Sequence, residues 1–221
     1  MIKTNNEMNV RAMLLIGPTG VGKTPFGGYL ETRGLGEGRC LHFDFGHQLR
    51  AIAGHRTPPD GFSREEHSFI RDVLEKGLLL ENEHFHIAEK IIEIFLRDRD
   101  FSDTDILVLN GLPRHADQAR DMDKKVKTEA VIVLDCEAEE VFRRIGENTG
   151  GDRSGRTDDN IEMVSRKLDL FRERTAPLIG HYAAAGCDVF RVKVTASSTV
   201  EDVYSDFISM ANRLRFRPTD L

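Results

Sequence analysis

The stretch from Val10 to Thr24, VRAMLLIGPTGVGKT, limits what this chain can fold into more than any other. A mostly apolar run leads into G-x-x-x-x-G-K-T, set by Gly17, Gly22, Lys23 and Thr24 with Gly20 inside it. That spacing is a phosphate-binding loop, and a buried strand before it with a helix-compatible stretch after it is the context the motif needs. The glycines let backbone N–H groups wrap a polyphosphate without Cβ clashes, and the following helix N-terminus adds partial positive charge. Lys23 is placed to reach the β- and γ-phosphates of a nucleotide, and the Thr24 hydroxyl to ligate Mg²⁺.

Four more short apolar runs follow: RCLHFDF (39–45), DILVLNG (105–111), AVIVLDC (130–136) and DVFRVKV (188–194). Helix signals fill the intervals, over 23–33, 46–53, 63–76, 82–97, 116–124, 137–145, 159–185 with a bend near Pro177, and 199–214. Ser63 and Glu66 form a capping box for the third of these, and Asp158 and Asp159 are placed to cap the long one. Strands alternating with helices predict an α/β fold with a parallel sheet and right-handed crossovers. Ligands bind such sheets at the C-terminal strand edge. Two excursions leave that edge, at 46–104 and at the glycine-rich loop 146–157.

With 221 residues the chain suits a single domain over 1–221. A net charge of −6 weighs against a nucleic-acid-coating surface. No apolar run nears the roughly 20 residues of a membrane span, and the polar MIKTNNEMN start is no secretion signal. Cys40, Cys136 and Cys187 are odd in number and lack C-x-x-C spacing, which argues against a disulfide framework or zinc site. Each is expected to be a small buried residue at a strand edge. The expected setting is cytoplasmic, with small-molecule nucleotides as partners and neither nucleic acid nor membrane.

The stretch LNGLPR (109–114) places Asn110 where phosphate-loop proteins usually carry an acid that supports Mg²⁺. Arg114 follows a Gly/Pro turn and points to the cleft, and Gln118, four residues on, shares its helical face. Further along, Arg153, Arg156, Arg166 and Lys167 bracket the mobile, glycine-flanked loop and its helix. Beside a phosphate loop such cations suit phosphoryl transfer, whose charge spreads over the equatorial oxygens.

Taken together, GPTGVGKT, FGHQLR (45–50), NGLPR and GRTDDN with TAPLIGHY resemble the adenylate kinase family of nucleoside-monophosphate kinases, in order and over nearly the whole chain. The resemblance implies a P-loop NTPase-type three-layer sandwich with a five-stranded parallel sheet. A monophosphate-binding helical lobe over 46–80 and a short lid over 146–157 complete it, and the chain is expected to act as a monomer. It also implies roles. Gly17, Gly20, Gly22, Lys23 and Thr24 would hold ATP. Arg144 would stack on the donor adenine. Arg50 and Arg114 would grip the acceptor monophosphate, and Gln118 would hydrogen-bond its base, a glutamine that goes with adenine in this family. Arg156 and Lys167 would hold the transferring phosphoryl. Thr24 and Asn110 would support Mg²⁺, mostly through water.

This chain departs from the family pattern at several of these positions. Thr24 and Pro25 replace a glycine and a hydroxyl, Asn110 replaces a carboxylate, and Phe45 replaces a base-contacting threonine. Lys167 replaces an arginine, exchanging a bidentate fork for a point charge. Asn148 falls near the lid's second arginine, for which Arg153 can compensate. The segment 56–62 lengthens the monophosphate lobe. Three functions fit these residues: Mg²⁺-dependent transfer from ATP to a nucleoside monophosphate such as AMP, transfer to another small molecule, or nucleotide-dependent regulation with weak catalysis.

Overall fold

The computed structural model describes residues 10–35, 38–153 and 160–213. Five strands, β1 (Val10–Ile16), β2 (Cys40–Asp44), β3 (Ile106–Asn110), β4 (Val126–Asp135) and β5 (Asp188–Lys193), form one sheet in the order β2-β3-β1-β4-β5. Every pairing is parallel. Period-two alternation sends successive side chains to opposite faces, so this sheet has a core on each side. Ala12, Leu14 and Ile16 of β1 join Phe43, Leu107, Leu109 and Val131 in one core. Met13 and Leu15 join Val108, Ile132 and Phe190 in the other.

Helix α1 (Lys23–Arg33) and α9 (Val200–Arg213) cover the second face through Phe26, Leu30 and Phe207. Phe207 meets Phe26 and Phe190 edge-on, at centroid separations of 6.0 and 5.3 Å. Helices α2 (Phe45–Gly54), α3 (Arg64–Lys76) and α4 (Phe85–Asp98) bury Leu49, Ile70, Ile87 and Ile91 in the first core, with α5 (Ala116–Met122) beside them. The expected three-layer sandwich is what forms. The strands are apolar on both faces because both faces are covered.

The structure revises several boundaries. β4 starts four residues before its apolar run, because Val126–Glu129 continue alongside β1. The register shifts between Ala12 and Met13, and Glu129, the extra residue there, accepts two hydrogen bonds from the buried Arg11 at 2.8 and 2.9 Å. This bulge hid the strand's start behind charged residues. Helix α3 carries the expected capping box, with Glu66 N–H donating to Ser63 Oγ and Ser63 N–H to Glu66 Oε2.

After α6 (Ala138–Glu147), the expected long helix is two helices, α7 (Ile161–Leu170) and α8 (Leu178–Ala184). A π-helical turn over Phe171–Thr175 precedes Pro177, with Ala176 N–H donating to Phe171 O. Proline has no N–H to give and its ring crowds the carbonyl four residues back, so the ladder widens one turn earlier. Asn160 caps α7, accepting from Met163 N–H, where Asp158 and Asp159 had been expected. Those two aspartates lie outside the described residues. Cys40 is buried as expected, whereas Cys136 and Cys187 are only half-buried, and all three are free thiols.

Candidate active site

The five strands end at one edge, and there the loops after β1, β2 and β3 enclose a cleft. The phosphate loop supplies Gly17, Gly20, Gly22, Lys23 and Thr24 to it. Gly20 and Gly22 sit at φ 76° and 104°, a left-handed backbone that a side chain would strain. Lys23 Nζ donates to Gly17 O and Pro18 O, both at 2.7 Å, so the amine folds back over its own loop. Burial, then the nearby Arg114 and Arg153, lower its pKa to about 7, against the opposing pull of Asp44 and Asp152.

Beyond the loop, the cleft collects Phe45 and Arg50 of α2, Asn110 of β3, Arg114, Gln118 of α5, Arg153 and Lys167 of α7. Lys23, Arg50, Arg114, Arg153 and Lys167 thus line one cavity in a chain whose net charge is −6. Val73, Leu74, Leu80, Leu170 and Phe171 add an apolar wall. A charged cleft with an apolar side matches a ligand that carries phosphates and a flat base.

Local structure explains why Arg114 sits here. β3 ends at Asn110, Gly111 turns the chain at φ 84°, and a cis Leu112–Pro113 bond follows. Gln118 Oε1 accepts from Arg114 N–H at 2.7 Å, and Thr175, within the π turn, donates to Arg114 O at 2.8 Å. The widened turn before Pro177 therefore braces the Arg114 backbone. Gln118 is 1% exposed, and its Nε2 donates to Leu80 O at 2.7 Å. Both ends of the amide tie the β3 turn to residue 80, an arrangement the helical spacing alone did not reveal.

Arg144 does not line the cleft. It is 4% exposed, and its Nη1 donates to Thr195 O at 2.7 Å and Ser198 O at 3.0 Å, with Ala196 O more distant. Its Nη2 lies where a side chain on Gly22 would press against it, at 3.2 Å. The expected adenine platform is thus a buried strut between the phosphate loop and the 195–198 turn. Arg156 lies outside the described residues. Arg166 is exposed and away from the cleft lining, while its neighbour Lys167 faces inward. Pro25 packs toward Gly150, whose Cβ would come within 3.3 Å of the ring.

One residue was missed by sequence reasoning. Asp44 closes β2, lines the cleft, and accepts from Thr24 Oγ1 at 2.5 Å. Asn110 Nδ2 donates to the same Oδ2 at 3.0 Å. Burial works against the ionised carboxylate. Hydrogen bonds from Thr24 and His47 N–H, with His42 and Arg50 nearby, outweigh it and hold the pKa below the usual carboxylate range. The available signal was its place at the end of a strand, next to a helix that it caps.

A family model described as an AAA domain matches residues 16–165. The chain is similar to the uridylate kinase of Saccharomyces cerevisiae, at 28% identity over 75% of each chain. It is likewise 28% identical to the adenylate kinase of Thermus thermophilus, over 88% of this chain and 94% of that one. A shikimate kinase structure from Bacteroides thetaiotaomicron superposes with a TM-score of 0.48 at 17% identity, covering 94% of this chain and 99% of the other. The family match runs from the last residue of β1 through the β2 and β3 ends into α7, the segments that build the cleft. The chain belongs to this AAA-domain family and is a kinase whose relatives of similar sequence are nucleoside-monophosphate kinases.

Proposed function

We propose that the protein moves the γ-phosphoryl of ATP to a nucleoside monophosphate, with AMP the preferred acceptor and Mg²⁺ required. The observation that carries this reading is the convergence of Lys23, Arg50, Arg114, Arg153 and Lys167 on one cleft beside an apolar wall. Phosphoryl transfer demands little covalent help from the protein. Its catalysis is positioning and electrostatic stabilisation of charge spread over the equatorial oxygens.

In this reading the loop N–H groups and Lys23 hold the donor phosphates, and Lys23 exchanges its two carbonyl partners for phosphate oxygens. Arg50 and Arg114 grip the acceptor phosphate and the apolar wall receives its base, with Gln118 holding the Arg114 backbone in place. Arg153 and Lys167 balance charge on the transferring group, joined by Arg156. The 46–80 segment acts as the acceptor lobe and 146–157 as the lid, and their closure excludes water. The site's donors fit Mg²⁺, which favours a few oxygen ligands alongside substrate phosphates: the Thr24 hydroxyl and Asp44 carboxylate lie 2.5 Å apart. When bound, the ion would neutralise charge on the β- and γ-phosphates. A monomer suffices, since every group named belongs to one chain.

The test is ATP with Mg²⁺ against a panel of AMP, UMP, CMP and non-nucleotide acceptors. ADP formation fastest with AMP is expected, and Lys23→Ala should cost at least ~10²-fold in kcat/KM, or ~3 kcal/mol. Preference for UMP or CMP would overturn the acceptor; no turnover with any monophosphate would overturn the activity.

A further inference from the structure

The family resemblance places the Mg²⁺-supporting carboxylate at the end of β3, where this chain has the uncharged Asn110. The geometry points to Asp44, at the end of β2, as the residue that takes over this task, with Asn110 as the positioning residue that holds it. The inference rests on the phosphoryl-transfer reading above for the identity of the ion, and on the following contacts for its place.

Asp44 and Asn110 are direct partners in the parallel pairing of β2 with β3. Their side chains therefore leave the sheet edge side by side, and both reach Thr24. Oδ1 of Asp44 is occupied in structure, accepting His47 N–H at 2.8 Å as the N-cap of α2. Oδ2 is the working oxygen, taking Thr24 Oγ1–H at 2.5 Å and Asn110 Nδ2–H at 3.0 Å. A hydroxyl that gives its proton to a carboxylate keeps its lone pairs for a cation. Thr24 can thus ligate a divalent ion while still bonded to Asp44, and Oδ2 stands ready for a metal-bound water.

Asn110 has the opposite polarity. Its Nδ2 faces Asp44 Oδ2, Thr24 Oγ1 at 3.2 Å and His42 Nε2 at 3.4 Å, so it presents donors to acceptors. The amide carries no charge for the ion, but it fixes the rotamer of the carboxylate that does. His42 completes the arrangement, and its ring fits only because residue 27 is glycine: a Cβ there would lie 2.3 Å from Cδ2 and Nε2. Partners of this kind typically set metal affinity by about 10- to 100-fold.

Because the two positions are strand partners, exchanging them conserves one carboxylate and one amide. Mn²⁺ binding to the protein·ADP complex, followed by its electron paramagnetic resonance signal, tests this without any turnover. Asp44→Asn keeps an oxygen for the α2 cap. It should weaken Mn²⁺ at least about tenfold, read at saturating ADP, and adding Asn110→Asp should recover most of that loss. Unchanged Mn²⁺ affinity in Asp44→Asn, or no recovery in the exchanged pair, overturns the assignment. Should Asp44→Asn fail to fold, Asn110→Asp alone decides. Its two facing carboxylates should lower the melting temperature of the empty protein, and Mn²⁺·ADP should then raise it by more than in the unaltered chain; an equal or smaller rise overturns the assignment. Mn²⁺ effects as expected in a protein that transfers no phosphoryl would support Asp44 while overturning the function proposed above.

Discussion

Nucleotide binding should draw a proton onto Lys23, and the size of that uptake follows from the cleft. Burial and the cations Arg114 and Arg153 bring the amine from 10.5 to about 7. At pH 8 an amine of that pKa is about nine-tenths neutral, and at pH 7 about half. Diphosphate oxygens in place of Gly17 O and Pro18 O would restore the charged form, since an adjacent anion favours it. Binding of ADP without metal should therefore take up close to one proton at pH 8. The association constant should fall about tenfold per pH unit above 7, the linkage expected when one proton is bound with the ligand. Calorimetric titrations at pH 8 in buffers of different ionisation enthalpy read this directly, at a pH where the nucleotide has no phosphate proton to release. For the empty protein the sign is reversed. A lysine whose folded pKa is depressed leaves the unfolded chain with more protons between pH 7 and 10.5, so its contribution to stability rises with pH across that window. No uptake at pH 8, or equal uptake by Lys23→Met, would refute the placing of this amine against the phosphates.

Two further predictions probe the scaffold. Gly27→Ala should lower the urea midpoint, because the roughly 1 kcal/mol of helix propensity gained is set against about 1–3 kcal/mol of overpacking on the His42 ring; a stabilised variant would mean that ring moves aside freely. Phe207→Ala should cost about 3–5 kcal/mol in denaturant unfolding, since the ring is fully buried between Phe26 and Phe190. A loss below about 1 kcal/mol would show that this layer repacks.

Local signals carried most of the fold. The phosphate loop, five apolar runs and the Ser63–Glu66 cap each depend on residues close in the chain, and periodicity reads those well. The start of β4 escaped because its ladder to β1 is held by backbone pairing and the Arg11–Glu129 contact, 118 residues apart, beneath a charged exterior. The bend before Pro177 was legible, but its form as a π turn reaching Arg114 through Thr175 was not.

The site divides along the same line. By itself the sequence marked a phosphate loop after β1 and singled out Arg50, Arg114, Gln118 and Lys167 as candidates, and the structure brings all four to one cleft. The tertiary structure alone decided how they are used. It buried Arg144 against three carbonyls and tied Gln118 to Leu80 O. It also set Asp44 opposite Asn110 through the β2–β3 register, so that a carboxylate absent from one strand stands on the next. Strand register is a relation between segments 66 residues apart, and no local pattern encodes it.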